Sequence, residues 1–118
     1  MTTMTTKWAV LAIAVLVACG GESGGEAQDG GDLAADIGCL SCHTAESTAV
    51  APTWNGLFGS EVELEDGSTV VADSEYIRRS ILEPHADIVA GYGPTMPMFR
   101  LDETEVDLLV TYIEGLGG

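Results

Sequence analysis

Cys39-Leu40-Ser41-Cys42-His43 is the stretch that decides how this chain folds. Two thiols three positions apart sit on one turn of helix, so both sulfurs reach one edge of a porphyrin and can close thioethers onto its vinyl groups. The imidazole that follows falls under the iron, where a neutral ring nitrogen serves as axial ligand. Its other nitrogen needs an acceptor, commonly a backbone carbonyl, to fix the tautomer. Other uses of paired cysteines fit worse. A thioredoxin-like dithiol needs a βαβ context, and a zinc site needs a second Cys/His pair; the rest of the chain, whose only other histidine is His85, supplies neither. The motif therefore predicts one covalent haem c, attached through Cys39 and Cys42 with His43 as proximal ligand.

Downstream of the motif, the candidates for a sixth ligand are His85, Met96 and Met98. Met96 is favoured. It sits in Gly91-Tyr92-Gly93-Pro94-Thr95-Met96-Pro97, too rich in Gly and Pro for helix or strand, where rigid turns can aim a side chain at the iron. Met98 is the direct rival, and His85, after Glu83-Pro84, reads as a solvated loop residue. Methionine ligation favours reduced iron, because a thioether is a soft ligand, and so implies a higher potential than two histidines would.

Upstream, Cys19 is the odd one of three cysteines. It ends a stretch whose n-region carries Lys7 and whose apolar run, Trp8 to Ala18, is short for a bilayer span and suited to a secretory signal. Leu16-Val17-Ala18-Cys19, followed by Gly20-Gly21, resembles the bacterial lipoprotein signal, in which the cysteine becomes a lipid-modified N-terminus. The expectation is a signal peptide over 1–18, an exported chain, and a lipid anchor on Cys19 holding it at the outer face of the cytoplasmic membrane or in the periplasm. Residues 19–31, Gly-rich and acidic, read as a flexible tether that lets the domain range on the order of 20 Å.

Residues 32–118 form the expected domain, small enough that a bound haem would complete its core. A short helix with Leu33 and Ile37 inward should lead into the motif, with Gly31 allowing close approach of another helix. Val62 to Val71 alternates around Asp66-Gly67, the pattern of a short hairpin. Asp73 or Ser74 should cap a helix through about Leu82, with Ile77 and Ile81 inward and Pro84 beyond its end. The last helix is the clearest: Asp102 as N-cap, Glu105 three residues on, then Val106, Leu109, Val110 and Ile113 on one stripe. The fold class is thus all-α, around one haem, with a short β-hairpin insertion.

Several stretches together resemble a class I cytochrome c, and more narrowly the cytochrome c domain of caa3-type oxidase subunit II, in a free-standing lipoprotein form. They are Gly38-Cys39-Leu40-Ser41-Cys42-His43, Pro52-Thr53-Trp54-Asn55-Gly56-Leu57-Phe58-Gly59, Tyr76-Ile77-Arg78-Arg79-Ser80-Ile81 with Pro84, Gly91-Tyr92 and Met96-Pro97-Met98-Phe99. The resemblance implies that His43 and Met96 are the axial ligands, and that the Pro52 carbonyl accepts the proximal histidine's hydrogen bond. It places Met98 at a variable position. Ala35 stands where many relatives have an aromatic and Trp54 where leucine is common, which implies a looser helix crossing with Trp54 packing on the haem. Tyr76, Arg78 and Arg79 join the expected haem environment, the arginines, with Arg100, as candidates to neutralise a propionate.

Four Lys plus Arg against nineteen Asp plus Glu give a net charge of −15. Such a chain will not bind nucleic acid or anionic lipid electrostatically; it suits a basic docking patch on a redox partner, or a high-salt habitat. The expected function is single-electron transfer, from a quinol-oxidising complex or dehydrogenase to a terminal oxidase or reductase, by an electron carrier rather than an enzyme. The alternatives are a haem-based sensor or small peroxidase with a labile sixth ligand, and a structural lipoprotein without cofactor.

Overall fold

A computed structural model of the chain describes residues 28–117. The expected signal peptide over 1–18, Cys19 and most of the 19–31 tether lie outside those residues. Among the described residues the order is helix α1 (Gly30–Asp36), a 3-10 turn (Cys39–Ser41), strands β1 (Glu61–Glu63) and β2 (Thr69–Val71), helix α2 (Ser74–Leu82) and helix α3 (Glu103–Gly115).

Each helix starts where a carboxylate side chain can accept an otherwise unpaired backbone N–H. Asp29 accepts from Asp32, Asp73 from Tyr76, and Asp102 from Glu105, whose own carboxylate takes the Asp102 N–H to complete a capping box. The stripe of α3, Val106, Leu109, Val110 and Ile113, is buried as its periodicity requires. Against it lie Leu33 and Ala34 of α1, and Tyr76, Ile77 and Ile81 of α2. Trp54, Val62, Leu64 and Ala72 complete the cluster, with Ile37, the C-cap of α1, half-buried at its edge.

Two expectations are corrected here. The tether does not run to residue 31, because Asp29 caps α1 and Gly30 is its first, buried residue. The close approach of α1 to α3 is made chiefly by Gly30 rather than Gly31. A β-carbon on Gly30 would fall 2.6 Å from Tyr112 Cβ and closer still to the Leu108 carbonyl oxygen, whereas at Gly31 it would meet only the Tyr112 ring, at 3.0 Å, and the Asp29 carboxylate. At such contact only glycine lets two helix backbones touch.

The hairpin pairs Glu61 with Val71, Val62 with Val70 and Glu63 with Thr69, turning through Asp66-Gly67. Its strands are three residues each; Val62 points into the core while Glu61 and Glu63 face outward. The hairpin in turn fixes residues 88–90. Leu64 bridges to Val89, Glu65 N–H donates to Ile88 O at 2.8 Å, and Ala90 N–H donates to Glu63 O at 2.9 Å. No helix among the described residues is long and apolar enough to cross a membrane.

Candidate functional site

Gly38 ends the reach of α1 with a positive φ of 90° and turns the chain into the 3-10 turn that carries Cys39. His43 N–H bonds back to Cys39 O at 3.0 Å, so both cysteines and the histidine sit on one tightened turn. Both thiols are free, Cys39 half-buried and Cys42 exposed. Burial raises the Cys39 thiol's pKa, partly offset by a backbone hydrogen bond.

The chain after His43 is irregular but heavily tied. Thr53 Oγ1 and Asn55 Nδ2 both donate to Ala45 O, at 3.1 and 2.8 Å, and Thr53 N–H donates to Ser47 Oγ at 3.0 Å. These bonds hold Pro52 so that its carbonyl accepts from His43 Nδ1 at 2.8 Å. A carbonyl can only accept, so Nδ1 carries the proton and Nε2 is left as the free lone pair. Burial lowers the His43 pKa, with the Pro52 bond pulling part of the way back, a direction that favours the neutral imidazole a metal ligand must be. Trp54 stacks on the His43 ring, centroids 4.7 Å apart and planes 20° from parallel, and meets Tyr112 edge-on at 6.3 Å. The indole thus braces the imidazole from one side and the α1–α3 crossing from the other.

A cavity of about 460 Å³ opens against this turn, within the range of about 300–1,000 Å³ usual for small-molecule and cofactor sites. Cys39, Cys42, His43, Pro52, Trp54 and Tyr76 all line it, and so does Met96. The rest of the wall is largely apolar, including Leu57, Ile77, Ile81, Val89 and Phe99. Among the hydroxyl-bearing residues that interrupt it, Tyr76 and Ser80 both come from α2. Tyr76 has its pKa raised by burial, with the nearby Ser80 hydroxyl acting in the opposite direction. Ser80 Oγ is buried with no partner of hydrogen-bond geometry, and so offers a polar contact to whatever fills the space. Two thiols on one edge, a neutral imidazole with one nitrogen free, a thioether and an apolar wall make a donor set that fits a haem.

The three candidates for a sixth ligand separate cleanly. Met96 is half-buried and lines the cavity, whereas Met98 is 71% exposed and does not. His85 is exposed and away from the wall, its Nε2 placed 3.0 Å from the Met96 carbonyl oxygen. The expectation of a merely solvated His85 missed this bond.

Arg78 and Arg79 correct the expected haem environment, because neither lines the cavity. Arg78 on α2 pairs with Glu103 at 3.5 Å and with Asp107, both on the adjoining α3. Arg79 pairs with Asp87, and of these two only Asp87 lines the cavity. The acidic first turns of α3 lie across from α2 and capture the first guanidinium, and the chain folding back after Pro84 brings Asp87 to the second. Arg100 is exposed and also absent from the wall. Ser80 was overlooked in turn: its position among the apolar residues of α2 distinguishes it, but only burial exposes its missing partner.

A family model for cytochrome c matches residues 27–117, and the chain belongs to that family. No curated protein gives a significant match. Membership carries with it haem-based electron transfer and a covalently attached haem c, with the cysteines of the attachment motif at 39 and 42.

Proposed function

We propose that this cytochrome c is a single-electron carrier in which His43 and Met96 are the axial ligands, working at the outer face of the cytoplasmic membrane. One observation carries the reading: His43, with Nδ1 committed to Pro52 and Nε2 free, lines the same cavity as Met96. When bound, the haem supplies a one-electron couple. The chain's part is to keep that couple six-coordinate and dry. Pro52 and Trp54 hold His43 in its ligating tautomer and orientation, Met96 offers a soft donor that favours the reduced form, and the apolar wall keeps water away.

The narrower reading rests on sequence. The lipoprotein-like Leu16-Val17-Ala18-Cys19 supports export and a lipid anchor on Cys19, and the quoted stretches support kinship with the cytochrome c domain of caa3-type oxidase subunit II. The donor would be a quinol-oxidising complex or dehydrogenase and the acceptor a terminal oxidase or reductase. The net charge of −15 favours a basic face on such partners. Arg78 and Arg79 do little to relieve it locally, since each is already paired with a carboxylate.

The test is spectroscopic. The oxidised protein should be low-spin and show the near-infrared Met-to-iron band, and Met96→Ala should lose it. A high-spin wild-type spectrum with ready CO binding to the reduced form at neutral pH would replace the carrier with a sensor or small peroxidase.

A further inference from the structure

We propose that His85 is a positioning residue for Met96, and that its bond to the Met96 backbone is what holds the methionine loop closed over the cavity. The proposal rests on the reading of Met96 as the sixth ligand.

The loop 93–101 has no regular structure and few ties. Its one internal backbone bond runs from Thr95 N–H to Gly93 O at 2.8 Å. Pro94 and Pro97 have no N–H to give. Among the described residues, the single hydrogen bond from 93–101 to another segment is the one between His85 Nε2 and Met96 O, at 3.0 Å. Because the carbonyl accepts, Nε2 carries a proton and the imidazole is the donor.

The other end of this tie is anchored. His85 follows Pro84, and Ala86 N–H bonds to Glu83 O at 2.9 Å. Ile88, Val89 and Ala90 are then stitched to the hairpin through Leu64, Glu65 and Glu63. His85 therefore joins a fixed segment to a loose one, at a residue that lines the cavity. A tie at the backbone of Met96 limits how far its side chain can swing out. It adds nothing to the cavity wall, which His85 does not line.

The experiment is capture of the ferric protein by added imidazole, which competes with Met96 for one position. It compares wild type, His85→Ala, His85→Gln and the control Asp29→Ala, each checked for folding by thermal melting. Loss of one surface hydrogen bond should tighten apparent imidazole binding by about threefold to tenfold in His85→Ala. His85→Gln, which keeps a side-chain N–H donor, should lie closer to wild type. Asp29→Ala, which removes the N-cap of α1 away from both loops and the cavity wall, should leave imidazole affinity where it was. Equal affinity in wild type and both His85 variants, with the Met-to-iron band present in wild type, overturns the proposal. So does an increase in Asp29→Ala as large as in His85→Ala, since that would be general loosening. Absence of the band from wild type overturns the ligand reading itself, and the proposal with it.

Discussion

Two irregular loops border the same cavity and are held in opposite ways. The one after His43 is laced by side-chain bonds: Thr53 and Asn55 converge on Ala45 O, Ser47 receives the Thr53 N–H, and Thr48 Oγ1 accepts from Val50 and Ala51. The one that carries Met96 has a single bond to the rest of the described chain. Both lack helix and strand, so absence of regular structure says little about stiffness. What matters is whether side chains take over the work of satisfying and fixing the backbone. Such a division suits an electron carrier. The side that carries the attachment motif is built into the core, and the side that, on the proposed reading, offers a replaceable thioether has the fewer ties.

The sharpest way to break the comparison is at Trp54, which joins the stiff loop to the core. Trp54→Ala removes the stack on His43 and a buried indole that is 8% exposed. The expected cost is about 3–5 kcal/mol, or a fall of more than ~10 °C in melting temperature for a domain this small. The Met-to-iron band should survive at low temperature, because Pro52 still fixes His43. A melting point within a few degrees of wild type would mean that the loop after His43 does not depend on the core.

Next in size is Gly30→Ala, which tests whether the scaffold can be strained without touching either loop. The new methyl meets the Leu108 carbonyl and Tyr112 Cβ, both too close to give way without parting α1 from α3. Overpacking of this kind costs about 1–3 kcal/mol and occasionally more. The oxidised and reduced spectra should stay as in wild type while the thermal midpoint falls. Changed spectra would show that the helix crossing and the ligand geometry are coupled.

Asn55→Ala should cost about 1 kcal/mol, near the middle of the range for one hydrogen bond, measured by denaturant unfolding. The side chain is exposed, so water can partly replace the lost bond to Ala45. A loss of several kcal/mol would show that the lacing acts as one cooperative unit.

How much of this was legible in the sequence follows the range of the interactions involved. The capping box at Asp102 and Glu105, the stripe of α3 and the Asp66-Gly67 hairpin all depend on residues within a turn or a pair of strands, and local pattern suffices for them. The motif at Cys39, Cys42 and His43 is legible for the same reason, since five consecutive residues carry its geometry. Gly30 reads as tether because a Gly-rich acidic stretch looks the same whether it is free or pressed against Leu108; the partner is far along the chain. Arg78 and Arg79 read as haem neighbours because nothing local shows that Asp107 and Asp87 reach them first. His85 and Ser80 escaped for a related reason. One acts through a backbone carbonyl eleven residues away, and the other is conspicuous only because no partner is there.

The smallest expected effect concerns whether the wall between the two loops excludes water, and it is read as a slope. Tyr76 on α2 lines the cavity and has its pKa raised, chiefly by burial, above the ordinary value of about 10. Below that value the phenol is neutral whether the chain is folded or not, so it lends stability no pH dependence. As pH rises past it, the unfolded chain releases the proton while the folded one still holds it, and stability falls until the folded phenol ionises too. Tyr76→Phe should flatten this decline in unfolding free energies measured at alkaline pH. Tyr92 and Tyr112 remain in both proteins, so the difference isolates Tyr76. Parallel pH profiles would mean that water reaches the phenol, and that the methionine loop leaves the cavity open even when the tie from His85 is made.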